Sequence, residues 1–230
     1  MSFERQRRAA IRDGITVGLA TGASGLSFGA LGTANGLSIF QTQVLSLLMF
    51  SGASQFAMVS ILGSGGTILT AVSTTAMLGS RNGLYGLRLA PMLKLTGWRR
   101  IVGAQLTIDE STALALSRDE EAFDGALSRI AFWAAGIGVF VFWNLSTLIG
   151  AVATQALGDP RQFGLDAAIV AGFIALVWPR LKGREAWAVA GTASAIALVL
   201  TPQVRPGVPI LAAASVAIVT GVVLTRRDAR

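Results

Sequence analysis

The stretch from Gly14 to Ala34, GITVGLATGASGLSFGALGTA, decides the class of this chain. It carries no charged side chain, and about 20 apolar residues rising 1.5 Å each are what a helix needs to cross roughly 30 Å of hydrocarbon. Glycine recurs at 14, 18, 22, 25, 29, 32 and 36, in steps of three and four that place all of them on one helical face. Lipid supplies little hydrophobic drive between helices, so such a flat face lets a second backbone approach closely and gain dispersion contacts. Gly18, Gly22, Gly25, Gly29 and Gly32 are therefore read as helix-packing or hinge positions, with a substrate path along the same groove as the alternative.

Comparable apolar blocks follow at residues 43 to 62, 130 to 155, 163 to 179, 185 to 201 and 208 to 225. Two segments are ambiguous: 66 to 80 is short and rich in Thr and Ser, and 101 to 117 carries Asp109 and Glu110. Over the whole chain 53% of residues are hydrophobic and 13% charged, against about 25% charged in ordinary soluble domains. The expected fold is all-α, a polytopic transmembrane helix bundle of about 6 to 8 membrane segments. Residues 1–13 form a cytoplasmic basic N-terminus, 14–225 a single transmembrane transporter domain, and 226–230 a cytoplasmic basic tail.

The net charge of +7 and pI near 11.4 would suggest nucleic acid in a soluble protein. Here the cations cluster at the ends of apolar blocks, from Arg5 to Arg12, Arg180 to Arg184 and Arg226 to Arg230. That is the pattern of cytoplasmic loops that retain Lys and Arg. No aromatic residues interleave with them, so no nucleic-acid partner is expected. The location expected is a bacterial cytoplasmic (inner) membrane, multi-pass, with the N-terminus cytoplasmic. With Arg5 to Arg12 inside, 35 to 42 lies outside and Gly63 to Gly66 inside, so the stretch from 67 to 117 begins and ends on the same side. Two crossings would put Lys94, Arg99 and Arg100 outside, whereas re-entrant or broken helices keep them inside. Both remain open, and irregular backbone at that depth survives only where protein buries it or a wet cavity meets it. Trp178 with Pro179, and Trp187, flank the Arg180 to Arg184 turn as interface anchors.

The chain has no cysteine and no histidine, which excludes disulfides, thiol catalysis, Ser-His-Asp nucleophiles and His-based zinc sites. No metal, no cofactor and no enzymatic activity are expected. Gly22-Ala23-Ser24-Gly25 has the G-x-S-G form of intramembrane serine proteases, but the base that such a serine needs is missing.

Polar groups at apolar depth carry the functional reading. Ser51 and Gln55 lie one turn apart, and a primary amide in lipid is costly unless paired. Gln55 is thus either an interhelical hydrogen bond or a ligand contact. Further on stand Arg81, Asn82 and the only tyrosine, Tyr85. Arg81 can pair with a substrate carboxylate or an internal acid, or serve as a topology signal; Arg88 is read as such a signal. Asp109-Glu110 is an acidic pair inside an apolar run, with Gln105, Asp109 and Thr112 on one polar face. An acid at this depth is a proton relay, a counter-ion or an amine contact, unless the helix lies at the interface. Asn144 is a further polar residue, read as structural.

Taken in order, Ser51 to Phe56, Arg81 with Leu84-Tyr85-Gly86, and Thr107-Ile108-Asp109-Glu110 resemble the AzlC family of branched-chain amino acid permeases. The matching positions are Gly52, Gln55, Phe56, Arg81, Tyr85, Asp109 and Glu110. Gly79 and Asn82 depart from the family pattern, which has Asn and His there. The resemblance implies the large subunit of a two-component exporter, with a small hydrophobic AzlD-like membrane subunit as partner and valine, leucine, isoleucine and sometimes methionine as substrates. The combined expectation is a secondary transporter, coupled to protons, that binds a zwitterionic amino acid near the midplane. Its substrate-binding or coupling residues are Ser51, Gln55, Arg81, Asn82, Tyr85, Asp109 and Glu110. Helix N-termini, Arg81 or Gln55 would hold the carboxylate, and Asp109 or Glu110 the amine or the proton. The competing readings are a lipid-modifying membrane enzyme, a scaffold subunit without transport of its own, and a carrier of another small zwitterion. Assembly into a higher oligomer is left open.

Overall fold

The computed structural model describes residues 2–118, 122–157, 174, 177, 178 and 181–228. The expected span 163 to 179 lies outside them apart from three positions. Among the described residues every regular element is helical and there is no strand, so the all-α expectation holds and the fold is a helical membrane bundle.

Helices α1 (Phe3–Gly22) and α2 (Ser24–Ala34) follow each other almost without interruption. They pack on the long helix α8 (Ala126–Leu157). Gly14 faces Ala134, Gly18 faces Gly138, Gly22 faces Phe142, and Gly29 faces Thr147 and Ala151. The numbers rise together, so the two helices run parallel and begin at the same end of the bundle. A Cβ at Gly29 would lie 2.0 Å from the Thr147 carbonyl oxygen, closer than any side chain can come. Gly32 turns instead to the Thr42 side chain. Gly36 does not extend the ridge. It adopts φ +89° beyond the helix end with nothing within 4 Å, a backbone region that glycine reaches without steric cost.

The expected crossing at 43 to 62 is corrected. Helix α3 (Ile39–Leu48) starts at a capping box in which Ser38 and Gln41 satisfy each other's backbone N–H groups. It stops at Leu48, and after Met49–Ser51 a second helix, α4 (Gly52–Gly63), runs back. Two contacts establish the reversal: Gln55 donates to the Ser46 carbonyl at 3.3 Å, and Gly63 packs against Asn35, which precedes α3. Residues 39–63 therefore form a re-entrant hairpin that enters and leaves at one end. Helix α5 (Ile68–Leu93) then makes the crossing, its 26 residues spanning about 39 Å. The ambiguous segment 66 to 80 is the first half of that helix.

The second ambiguous segment is a second hairpin from the opposite end. Helices α6 (Trp98–Gln105) and α7 (Asp109–Leu116) are separated by Leu106–Ile108. Leu106 reaches Gly136 in α8, and just past α7 Arg118 pairs with Asp13 of α1 at 2.8 Å. Lys94, Arg99 and Arg100 thus lie at the same end as Arg5 to Arg12. The break also separates Gln105 from Asp109 and Thr112, so the expected shared polar face does not exist. Finally, α9 (Arg184–Leu200) and α10 (Val208–Asp228) form a pair. Their turn at Pro206 and Gly207 packs on Ile61, Gly66 and Thr70. Trp178 and Trp187 meet edge to face at 5.8 Å.

Two outcomes follow. Single cysteines placed at Gly36 and Gly65 in this cysteine-free chain will react with an impermeant thiol reagent from the same side, and one at Thr96 from the other. Labelling of Gly36 and Gly65 from opposite sides would mean that 39–63 crosses after all. In addition, Gly29→Val will cost about 1–3 kcal/mol or more by overpacking, read as a lower melting midpoint in detergent. Gly83→Ala, where nothing lies within 4 Å, will leave the midpoint unchanged or raise it.

Candidate functional site

The tips of the two hairpins meet beside the middle of α8. Breaking a helix leaves carbonyls at its C-terminal end without intrahelical donors, and water is not at hand to replace them. Two glutamine side chains supply the donors for α3. Gln55 Nε2 donates to the Met49 carbonyl at 2.6 Å and the Ser46 carbonyl at 3.3 Å. Gln105 Nε2, from the other hairpin, donates to the Leu47 carbonyl at 2.9 Å and the Leu48 carbonyl at 3.3 Å. The Gln55 amide is fixed in turn by Trp143 of α8, whose Nε1 donates to Oε1 at 2.9 Å. Gln55 is 0% exposed and Trp143 4%. Phe28 and Phe56 pack on the same indole.

Between the tips lies a cavity of about 150 Å³. A cavity of about this size in another protein accommodates benzene. Its walls come from the first residues of α4 (Gly52 and Ala53, with Phe50 and Ser51 before them), the first residues of α7 (Asp109 and Glu110, with Ile108 before them), and Arg81 and Asn82 in α5. Thr21 of α1, Val139 and Trp143 of α8, and Val177 complete the lining. Both half-helices thus point their N-terminal ends, with orphan N–H groups and positive dipole ends, at one space. At α7 its own acids occupy that position, Asp109 and Glu110 being in the first turn. At α4 there is no acidic residue in the first turn and no side-chain cap, because the Ser51 hydroxyl is directed to Ser54 at 3.2 Å.

Arg81 Nη2 and Asp109 Oδ2 are 3.0 Å apart, bridging α5 and α7 across the cavity. Two polar atoms beside this pair, Arg81 Nε and Asn82 Oδ1, are buried without a hydrogen-bond partner. Burying such atoms without a partner is unfavourable by about 1–3 kcal/mol each.

Of the residues singled out from the sequence, the structure brings Ser51, Arg81, Asn82, Asp109 and Glu110 to one cavity. Gln55 stands behind the wall, bracing the break. Tyr85 is one turn along α5 from Arg81, half-buried and outside the lining. Gly18, Gly22, Gly25 and Gly29 lie along the α8 contact, and Gly32 beside Thr42. Asn144 binds the Phe140 carbonyl at 2.8 Å and accepts from Gln43 of α3 at 3.3 Å. Thr21, Val139 and Trp143 were not singled out as site residues. As apolar or hydroxyl residues inside long spans they carry no local signal. Among the described residues there is no cluster of Asp and Glu fit to hold a metal ion.

Replacing Gln55 by Leu leaves the Trp143 N–H buried without an acceptor. Gln55→Leu will therefore lower stability by about 1–3 kcal/mol, and Gln55→Leu with Trp143→Phe will cost clearly less than the sum of the two single changes. Additive losses in detergent melting would show that the two side chains do not act as a pair.

Comparison with known proteins places residues 16–157 within the family model described as AzlC protein. A relative from Archaeoglobus fulgidus, described as an uncharacterized membrane protein, is 32% identical over 186 residues, which is 79% of this chain and 80% of the relative. Another from Helicobacter pylori strain 26695, with the same description, is 24% identical over 159 residues, 69% of this chain and 68% of its own. No solved structure matches the chain.

Proposed function

From the premise that this chain belongs to the AzlC family of membrane proteins, we propose that the cavity between the hairpin tips is the substrate site of a secondary transporter that exports branched-chain amino acids. One observation carries the reading: two half-helix N-termini and the Arg81–Asp109 pair converge on a small cavity at mid-depth. Broken helices at the midplane are the usual way in which a membrane carrier offers backbone dipoles to a charged substrate.

The polarity of the cavity orients a zwitterion. The α-carboxylate takes the N-terminus of α4 at Gly52 and Ala53, together with the buried Nε of Arg81. The ammonium group faces Asp109, Glu110 and Asn82 Oδ1, and the branched side chain lies against Phe50, Val139 and Trp143. Ser51, at the tip, is placed to contact the carboxylate. Gln55 acts through the backbone it holds, as a positioning residue, and Tyr85 acts on the helix that presents Arg81. Each hairpin closes the cavity toward its own end, so withdrawing one tip at a time opens the site alternately to the two sides. The Gln105 bonds to Leu47 and Leu48 tie the two movements together. Coupling to protons falls to the acidic pair, since an intramembrane carboxyl group is the natural carrier of one. The membrane is a bacterial inner membrane with the basic end cytoplasmic, an orientation that the clustered Arg and Lys residues support, and a small hydrophobic AzlD-like subunit, which the family resemblance supports, completes the exporter.

The test is efflux. Cells lacking other exporters are loaded with a valine-containing dipeptide and express the chain with and without the small subunit, while external valine is followed. Valine should leave faster than from empty-vector cells. Arg81→Gln should slow initial efflux at low internal valine by about 10- to 100-fold, the equivalent of one charge-assisted hydrogen bond. Efflux of valine, leucine, isoleucine and methionine equal to the empty vector, with folded protein and the small subunit present, would falsify the assignment.

A further inference from the structure

A second concave site lies away from the central cavity, at the basic end. A cleft of about 730 Å³ is walled by Lys94 at the end of α5, Arg99 and Trp98 of α6, and Arg129, Trp133 and Ile137 of α8. Its described lining carries three cations against one acid, Asp124. Arg129 is half-buried and held in place by donating to the Asp124 carbonyl at 2.9 Å. The Arg99 guanidinium sits 5.9 Å from the Trp98 ring. On the other flank of Arg129, Trp133 and Ile137, which line both, a groove of about 680 Å³ runs along α1 and α8 between Ile11, Ile15, Val141 and Phe142.

The cleft has a cationic mouth at the level of interfacial tryptophans, and the groove that adjoins it across Arg129 runs into the apolar depth of the bundle. A soluble anion has no use for the groove, and a neutral lipid has no use for the cations. We propose that this is a binding site for one anionic phospholipid, its phosphate held by Lys94, Arg99 and Arg129 and an acyl chain laid along α8. Cations near a membrane surface attract anionic headgroups by about 1 kcal/mol each, and the groove adds apolar contact along the chain. The site links the ends of α5, α6 and α8, so occupancy ties the second hairpin to the helix it packs on.

Native mass spectrometry of the full chain in detergent, titrated with phosphatidylglycerol or phosphatidylcholine of the same acyl chains, tests this. Phosphatidylglycerol is expected to remain bound as one molecule and to raise the melting midpoint, while phosphatidylcholine does neither. Arg99→Gln with Arg129→Gln weakens phosphatidylglycerol retention about 25-fold, from about five-fold per cation. Arg99→Lys with Arg129→Lys retains it, which separates loss of charge from loss of fold. Glycerol 3-phosphate alone has no effect, since the groove contributes to binding. Equal retention of both lipids by the unaltered chain, unchanged retention in the double Gln variant, or a full effect of glycerol 3-phosphate would each overturn the site.

Discussion

The structure depends on how backbone is satisfied where α3 ends inside the bundle. The carbonyls of Ser46, Leu47, Leu48 and Met49 receive donors from two side-chain amides, Gln55 in the same hairpin and Gln105 in the opposite one. The Met49 carbonyl also accepts from the Ser51 N–H at 2.8 Å, but without the two amides a helix broken in lipid would leave the other three carbonyls at a cost of several kcal/mol each. Because the donors exist, α4 can begin at mid-depth, and because it begins there its N-terminal N–H groups face the cavity rather than an aqueous surface. The polar chemistry of the centre is thus a consequence of where one helix is allowed to stop.

The seam between α1–α2 and α8 supplies the rigidity that this arrangement needs. Glycines bring two parallel backbones within van der Waals contact from Gly14 to Gly29, and the same α8 carries Trp143, which fixes Gln55, and Asn144, which meets Gln43. One face of α8 therefore acts as a wall for α1 and α2 and another as the anchor for the first hairpin. The aromatic contacts of Phe28 and Phe56 with Trp143 join the two functions.

Much of this was legible in the chain. The apolar run from Gly14 to Ala34 announced the membrane, and its glycine spacing announced a flat face. Arg81 and the Asp109–Glu110 pair stood out as charges inside apolar segments, and the structure places them together. The hairpins were not legible at 43 to 62, because hydropathy records the length of an apolar run and not its direction. Two short helices that fold back carry the same composition as one crossing. Only the basic residues Lys94, Arg99 and Arg100 hinted at the true topology, and they pointed to the second break rather than the first. Thr21, Val139 and Trp143 escaped notice because their partners lie far away in the chain, which no local pattern encodes. The AzlC family match runs from residue 16, inside α1, through both hairpins to Leu157, where α8 ends.

The distance in sequence between the first hairpin and its anchors has a consequence for how the molecule is made. Gln55 and Trp143 are separated by 88 positions, and Gln43 and Asn144 by 101. At roughly 5 to 20 residues per second of synthesis, α3 and α4 leave the ribosome on the order of 5 to 20 s before α8 can receive them. During that interval their break has no indole to lean on and no glycine-matched wall beside it. The first hairpin is therefore an early passenger in biogenesis that must wait, near the membrane surface or within the insertion machinery, until a helix made much later gives it a place to enter.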